Sequence, residues 1–260
     1  MADRLPCQDM IDWLVDSELN FPPTRLALGP DSDAPGLLAA GGDLSPARLQ
    51  AAYSNGVFPW YGPGQPPLWW APDPRMVLQT RNFKLSRSLR KTLAHFIRSQ
   101  RCEIRVDSAL PDVLAACANA PREGQSGTWI LPEMQAAYLA WAAQSHCVHS
   151  IETWMDGALV GGLYGVNLGR MFYGESMFMR RTDASKIALA ALVCLCRSQD
   201  IPWIDCQQNT RHLASMGAAE VPRQAFEAHI KAYCAQPDAT NWTYHPSLWT
   251  QLGGIFSDEV

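Results

Sequence analysis

Three polar side chains in the second half of the chain stand where polar groups are costly. Asp205 and Gln207 are two residues apart in the run IPWIDCQ, which is typical of a buried strand. Both side chains should then point to one face of the strand and Cys206 to the other. Glu175 interrupts an aromatic and methionine-rich strand, RMFYGESMF. A carboxylate in such a place is a candidate for a catalytic or binding site, or it belongs to a structural hydrogen-bond network, and the residues alone leave both interpretations open.

A second candidate is the positive charge between Arg81 and Arg101. This window holds seven of the chain's 21 Lys and Arg residues and no acid, in a protein with a formal net charge of −4. As a helix it would carry basic residues on one face (Arg87, Arg90, Lys91, Arg98 and Arg101) and apolar residues on another (Leu89, Leu93, Phe96 and Ile97). Such a patch suits a polyanionic partner, and an ordinary solvated helix face fits the same pattern.

The sequence offers little support for metal chemistry. The eight cysteines include no Cys-x-x-Cys pair, and a chain of 260 residues does not need disulfides to fold. His146, Cys147 and His149 are close in sequence, but on a strand His146 would face away from the other two. We expect reduced thiols and no metal site.

The composition predicts a globular protein, with 47% apolar residues and enough length for a substantial core. The first ten residues, MADRLPCQDM, contain two acids and no apolar stretch typical of a signal peptide. The longest strongly apolar run, from Ile187 to Cys196, is too short to span a bilayer. A cytoplasmic location without membrane contact is therefore expected.

Residues 1–78 are expected to form an N-terminal domain rich in Pro, Gly and Trp. Between Gly36 and Arg75 the pattern predicts one short helix, with Ser45 as its N-cap and Pro46 at its first position, between two irregular segments. Gly56 would close this helix. Four nearby rings either cover an edge of the core or form a binding wall: Trp60, Tyr61, Trp69 and Trp70.

Residues 79–260 are expected to form the catalytic domain, with the basic helix near its start. The periodicity predicts helices at 109–119, 133–145, 183–198, 210–216 and 222–235, and strands at 148–155, 158–167, 171–178 and 201–207. Asp183 is expected to cap the third of these helices. This order predicts an α+β fold, a GNAT-like acyltransferase core with a mostly antiparallel sheet, preceded by a smaller N-terminal α/β domain.

Nine segments, in the same order along nearly the whole chain, resemble the bacterial leucyl/phenylalanyl-tRNA-protein transferases. They are FPP (21–23), GLLAAGGDLSPARL (36–49), GVFPWY (56–61), LWWAPDPRMVL (68–78), GTWI (127–130), GGLYGV (161–166), FYGESMF (172–178), DASKIAL (183–189) and IDCQ (204–207). Nine ordered blocks make a chance agreement improbable. The resemblance implies a monomeric leucyltransferase that moves Leu or Phe, and also Met, from aminoacyl-tRNA to the N-terminal α-amine of proteins beginning with Arg or Lys, which marks them for degradation. Aminolysis of an activated ester needs no cofactor.

The resemblance also implies roles for particular residues. Asp205 and Gln207 would act at the attacking amine, the aspartate polarising the glutamine; since an amide is a very poor base, Gln207 is interpreted mainly as an orienting group. Glu175 would pair with the positively charged acceptor. An apolar amino-acid pocket would be formed by Trp60, Trp129, Leu163, Phe172, Met177, Leu189 and Leu192, and tRNA phosphates would be held by Arg87, Arg90 and Lys91. Leu163 and Leu192 stand where familiar members would have methionine and phenylalanine.

Two other functions compete with this one. A coenzyme A dependent GNAT N-acyltransferase is favoured by the order of elements, but its donor needs a glycine-rich turn before the central helix. The connection here, MRRTDASK, has no glycine. A non-catalytic module that binds tRNA or N-degrons would use the basic patch and the pocket without requiring Asp205 or Gln207.

Overall fold

The computed structural model describes residues 11–16, 18–120 and 130–253. The strands, numbered along the chain, are β1 (Asp12–Leu14), β2 (Leu37–Gly41), β3 (Phe58–Pro59), β4 (Leu68–Trp70), β5 (Arg75–Gln79), β6 (Cys102–Val106), β7 (Val148–Met155), β8 (Ala158–Leu168), β9 (Met171–Met179), β10 (Trp203–Gln207) and β11 (Ala219–Val221). The helices are α1 (Pro46–Ser54), α2 (Arg87–Arg98), α3 (Leu110–Ala118), α4 (Pro132–Gln144), α5 (Ala184–Ser198), α6 (Arg211–Ser215) and α7 (Arg223–Tyr233).

The N-terminal part forms a small sheet in the order β1-β2-β4-β3, with β1 parallel to β2 and the other pairs antiparallel. Helix α1 begins as predicted, since the Ser45 hydroxyl accepts a hydrogen bond from the Arg48 main-chain N–H at 3.3 Å. The prediction that the remainder of 36–75 is irregular was wrong. Strands of two to five residues are too short to show alternation, and prolines and glycines between them hide the pairing.

The four aromatic rings of this segment divide into two groups. Trp69 is fully buried and donates its indole N–H to the Gly41 carbonyl at 2.9 Å, and Tyr61 is buried as well. Trp60 and Trp70 are half-buried and meet edge to face with their centroids 5.3 Å apart. The first pair therefore belongs to the core, whereas Trp60 remains available to a surface cavity.

The large sheet has seven strands in the order β11-β5-β10-β9-β8-β7-β6 within the described residues. Its pairs are antiparallel apart from β9 and β10, which run parallel because α5 crosses between them. The predicted strands at 148–155, 158–167, 171–178 and 201–207 and the predicted helices between 109 and 235 are all present with slightly shifted ends. The α+β class and the order of elements in this half are confirmed, whereas β5, β6 and β11 were not predicted.

Helix α2 is shorter than the basic window that predicted it. Ser86 caps it by accepting from the Leu89 main-chain N–H at 3.1 Å, and Leu89, Leu93 and Phe96 form its buried face as predicted. Arg101 lies beyond the end of the helix, in the turn before β6, so its predicted place on the basic face was wrong. The apolar face packs into the same core as α5.

Asp183 precedes α5 without capping it, contrary to the prediction. Its φ of 63° is left-handed, whereas an N-cap side chain acts from an extended backbone, and no cap hydrogen bond forms. Its carboxylate accepts instead from the Lys186 ammonium at 2.7 Å and the Thr92 hydroxyl at 3.3 Å. Asp183 thus joins α2 to the start of α5.

Side chains on both sides of residue 78 share one core. A single buried cluster contains Tyr53 of α1 and Trp69 of β4 together with Tyr138 of α4 and Tyr164 of β8. The hydroxyls of Tyr53 and Tyr138 lie 2.6 Å apart. The domain boundary near residue 78 stays a prediction.

Candidate functional site

A cavity of about 540 Å³ opens beside β8, β9, β10 and α5. Its apolar lining includes Phe58, Trp60, Leu163, Met177, Leu189, Leu192, Ile204 and Leu213, and its polar lining includes Glu175, Ser176, Asp205, Gln207, Gln208, Thr210 and His212. An apolar slot with a few convergent polar groups is the usual form of a small-ligand site.

Five of the seven residues predicted for the apolar pocket line this cavity: Trp60, Leu163, Met177, Leu189 and Leu192. Leu163 and Met177 face each other across β8 and β9. Phe172 does not line the cavity; its fully buried ring lies 5.6 Å from the Trp242 ring. Trp129 lies outside the described residues.

Glu175 is the extra residue of a β-bulge. The pairing of β8 with β9 passes from Tyr164–Ser176 to Gly165–Gly174, which leaves Glu175 without a partner on the facing strand. Bulges of this kind turn a side chain away from the regular alternation. One carboxylate oxygen, Oε1, accepts from the Gln207 Nε2 at 3.1 Å, and the other, Oε2, accepts from the Tyr138 hydroxyl at 3.0 Å.

The electrostatic state of Glu175 follows from its burial. Removal from water raises its pKa from the usual 4.5 to about 7. Hydrogen bonds from the tyrosine hydroxyls and from Gln207 act in the opposite direction, and the negative charge of Asp205 adds a smaller upward contribution. The group can therefore gain and lose a proton near neutral pH.

Asp205 is held by an arginine that the sequence analysis did not identify. Arg75 Nε and Nη2 donate to the two carboxylate oxygens of Asp205 at 2.8 and 2.6 Å, and both side chains are buried. The signal was present, because Arg75 directly precedes the apolar run MVL of a buried strand and an arginine there needs an acidic partner. The partner's position across the sheet could not be read from the sequence.

The backbone at Gln207 departs from a regular strand. The register of β10 against β5 shifts between Asp205 and Gln207, so Cys206 is skipped, and Gln207 has a φ of 60°. A non-glycine residue in this region costs about 1–3 kcal/mol and persists only where its surroundings hold it. The Gln207 main-chain N–H donates to Asp205 Oδ1 at 2.9 Å. All three residues contribute to the cavity wall, and Cys206 also packs against the core that contains α5. The predicted separation of the Cys206 side chain from those of Asp205 and Gln207 stays a prediction.

The basic helix is linked by hydrogen bonds to the start of α5, the helix that supplies Leu189 and Leu192 to the cavity wall. On α2, Arg87 and Lys91 are exposed and Arg90 is half-buried. The Thr92 hydroxyl on the same helix bonds Asp183, which also holds Lys186. Burial, and then the charge of Lys186, lowers the pKa of His212 at the cavity wall, with Asp183 acting in the opposite direction.

Two of the three residues considered for a metal, His149 and Cys147, have other partners. His149 Nδ1 lies 2.7 Å from Asp107 Oδ2, and its ring stacks on Trp242 at 3.9 Å. The Cys147 sulfur lies 3.0 Å from the Ser145 hydroxyl. Among the described residues, no three His, Cys, Asp or Glu side chains converge as metal ligands. Across the same residues, none of the helices combines the length and the apolar character needed to cross a membrane.

Comparisons with known proteins give a family for both parts of the chain. A model of the leucyl/phenylalanyl-tRNA protein transferase family matches residues 77–231, and a model of that family's N-terminal domain matches residues 42–73. Two similar relatives are named leucyl/phenylalanyl-tRNA–protein transferase. The one from Leptothrix cholodnii is 61% identical over 94% of this chain and 96% of its own length, and the one from Methylibium petroleiphilum is 60% identical over 94% and 91%.

Similar solved structures were also found, at low identity. A GCN5-related N-acetyltransferase from Kribbella flavida has a TM-score of 0.34 and 10% identity, covering 67% of this chain and 59% of its own. A ribosomal-protein-alanine N-acetyltransferase from Brucella melitensis biovar Abortus has a TM-score of 0.31 and 14% identity, covering 56% and 97%.

The raised pKa of Glu175 predicts a pH-dependent stability. Between its usual pKa of 4.5 and about 7 the native state keeps a proton that the unfolded state has lost, so this residue lowers the unfolding free energy as pH rises through that window. Glu175→Gln removes the effect. Its unfolding free energy minus that of the parent should increase by on the order of 3 kcal/mol from pH 4.5 to 7, measured by urea unfolding.

Glu18→Gln, which removes an exposed carboxylate, is the control for this measurement. An increase seen for Glu175→Gln and not for Glu18→Gln assigns the pH dependence to the buried carboxylate. A flat difference for Glu175→Gln would show that Glu175 ionises in the native protein as it does in the unfolded chain.

Proposed function

The chain belongs to the leucyl/phenylalanyl-tRNA protein transferase family, and on that premise we propose that it moves an apolar amino acid from aminoacyl-tRNA to the N-terminal α-amine of another protein. The donors are Leu, Phe and Met, and the acceptors are proteins that begin with Arg or Lys. The new N-terminal residue marks the acceptor for degradation in the cytoplasm. The observation that carries this proposal is the apolar cavity whose wall contains the bonded pair Glu175 and Gln207.

The apolar part of the cavity suits the donor side chain. Leu163 and Met177 form one side of it, and Leu189 and Leu192 lie three residues apart on α5. Removing a leucine or phenylalanine side chain from water into this slot gives about 0.8 kcal/mol per methylene group. The two leucines that replace a methionine and a phenylalanine of familiar members change the shape of the slot and keep it apolar.

The polar part suits the attacking amine. An N-terminal α-amine has a pKa of about 7.7–8, so a useful fraction is neutral near pH 7. Because the Gln207 Nε2 donates to Glu175, the amide oxygen is left to accept an N–H from the amine and orient its lone pair. Glu175, with a pKa of about 7, accepts the amine proton as the new amide bond forms and the ester bond to the tRNA breaks. The tRNA hydroxyl is the leaving group and takes up that proton, which returns Glu175 to its charged form.

The contacts of Asp205 suit an indirect role. Its carboxylate accepts from the main-chain N–H of Gln207 and forms a bidentate ion pair with the guanidinium of Arg75, so its charge is balanced before any substrate binds. In this proposal Gln207 meets the amine and Asp205 holds Gln207. Glu175 pairs with the amine in preference to a long acceptor side chain, because its carboxylate is enclosed.

The proposed activity is tested by incubating the protein with radiolabelled Leu-tRNA and a protein bearing N-terminal Arg. Label should appear on the acceptor and should be absent when its α-amine is acetylated. Glu175→Gln should lower turnover by about 10²–10⁴, the usual contribution of a positioned acid or base. Intact enzyme and charged tRNA without label on the acceptor would refute the proposed function.

The apolar part of the cavity should discriminate between donor amino acids by the size of their side chains. Leu, Phe and Met should exceed Val and Ala in kcat/KM, by roughly fourfold for each buried methylene group that the smaller side chain lacks. Met177→Glu should weaken transfer from every apolar donor. Met179→Glu is its matched control, since Met179 lies two residues further along β9 and is exposed. Equal use of Ala and Leu by the parent would contradict the slot.

The basic helix should contribute affinity for tRNA without changing the chemistry. Replacing Arg87, Arg90 and Lys91 by alanine should flatten the dependence of log Kd on log salt by roughly 0.7–0.9 for each phosphate that the variant no longer neutralises. A minimal donor, aminoacylated adenosine, lacks those phosphates and should be used about as well by the variant as by the parent. The exposed pair Arg25 and Lys231, replaced by alanine, controls for the loss of two of these three positive charges. Unchanged affinity for full-length aminoacyl-tRNA would remove α2 from the mechanism.

A further inference from the structure

Arg75 is almost completely buried, and each nitrogen of its guanidinium has a partner. Its Nε and Nη2 bond Asp205, and its Nη1 donates to the Gly56 carbonyl at 3.0 Å. The rings of Phe58 and Phe226 each lie 4.6 Å from the guanidinium carbon. These groups come from the end of α1, from β3, from β10 and from α7, so one side chain joins four parts of the chain.

Stability alone is a weak reason for such a pair. The attraction between buried charges is largely offset by the cost of removing both from water, and apolar residues of similar volume often replace buried ion pairs without destabilising the protein. What an arginine adds is geometry, because its planar fork fixes both oxygens of a carboxylate at once. Arg75 thus fixes the Asp205 carboxylate, and that carboxylate in turn bonds the main-chain N–H of Gln207.

The orientation of Asp205 determines the backbone of Gln207. Asp205 Oδ1 is shared between Arg75 Nε at 2.8 Å and the Gln207 main-chain N–H at 2.9 Å. The left-handed conformation of Gln207 depends on such support. From that backbone the Gln207 amide reaches Glu175 at 3.1 Å. Rotation of Asp205 would release the N–H and move the amide.

Arg75 also contacts the segment that contains Phe58. The Gly56 carbonyl that accepts from Arg75 lies two residues before Phe58, and the Arg75 guanidinium lies over the Phe58 ring. Phe58 and Trp60 both line the cavity. Arg75 itself is buried and is not among the residues that line the cavity.

We infer that Arg75 is a positioning residue for aminoacyl transfer: through Asp205 it holds Gln207 in the conformation that orients the attacking amine. The inference rests on the proposed function. A purely structural role for Arg75 predicts that its replacement lowers stability only. A positioning role predicts that its replacement also lowers turnover in the folded enzyme.

The test compares steady-state transfer and urea unfolding for Arg75→Met, Arg75→Lys, Asp205→Asn and the double variant Arg75→Met/Asp205→Asn. Arg75→Met should lower kcat by about 100-fold, the effect of a misplacement near 1 Å, with the KM for Leu-tRNA within about threefold of the parent. Arg75→Lys keeps one charged donor and should recover part of that activity. The double variant should be no slower than the slower single variant, because both changes break the same chain of hydrogen bonds.

Arg48→Met is the matched control. Arg48 is also fully buried; it bonds Asp43 at 3.3 Å and the Val15 carbonyl at 2.7 Å, away from the cavity. Its replacement should reduce stability and leave kcat unchanged. A normal kcat in folded Arg75→Met, or decreases in kcat that multiply in the double variant, would overturn the inference.

If Arg75→Met does not fold, Arg75→Lys decides: a lowered kcat at unchanged KM supports the positioning role, and a normal kcat overturns it. The parent, assayed in parallel, separates failure of the positioning role from failure of the proposed function. If the parent transfers Leu and both Arg75→Lys and Arg75→Met have the same kcat as the parent, only the positioning role is refuted. A parent that transfers nothing defeats the proposed function and this inference with it.

Discussion

The burial of α5 against the large sheet is the constraint from which the site follows. This helix is buried from Ala184 to Cys196 except at Lys186, and it crosses from the end of β9 to the start of β10. A crossing helix makes its two strands parallel neighbours in an otherwise antiparallel sheet. Glu175 on β9 and Gln207 at the end of β10 therefore meet, although 32 residues separate them. The same helix supplies Leu189 and Leu192 to the cavity wall.

Regular strands would not bring these groups together, and two irregularities complete the site. In β9 the bulge leaves Glu175 without a cross-strand partner, and in β10 the register shift skips Cys206. Each irregularity aims a polar side chain into an apolar cavity, where its hydrogen bonds are stronger than in water and its charge is more costly. Burial has raised the pKa of Glu175 to about 7, so its carboxylate can be neutral or charged near neutral pH. Burial of Glu175 and Gln207 therefore costs free energy, and the hydrogen bonds that they form offset part of this cost.

The parts of the structure that could be predicted from sequence are those in which one local pattern of apolar and polar residues continues over many positions. The apolar run of α5 and the strands β7, β8 and β9 were visible because eight or more residues repeat one pattern. The small sheet was missed because its strands are short. Arg75 stands out beside an apolar run, but its pairing with Asp205 was missed because two residues separated by 130 positions leave no local sign of their contact. Asp183 shows a different limit, since a residue typical of N-caps takes a left-handed backbone when Thr92 and Lys186 offer its carboxylate other partners. The residues for the cavity came mostly from the resemblance, and five of them do line it.

The hydroxyl contact between Tyr53 and Tyr138 has a consequence for how this protein can be divided or recombined. Tyr138 bonds Glu175 directly, so a residue of α1 stands one contact behind the candidate site, and Phe58 and Trp60 stand in its wall. The N-terminal sheet is therefore not an exchangeable module. In a chimera that joins the first 78 residues of one homologue to the remainder of another, the tyrosine pair and the aromatic wall must match across the junction. Such matching constrains both parts to change together in evolution.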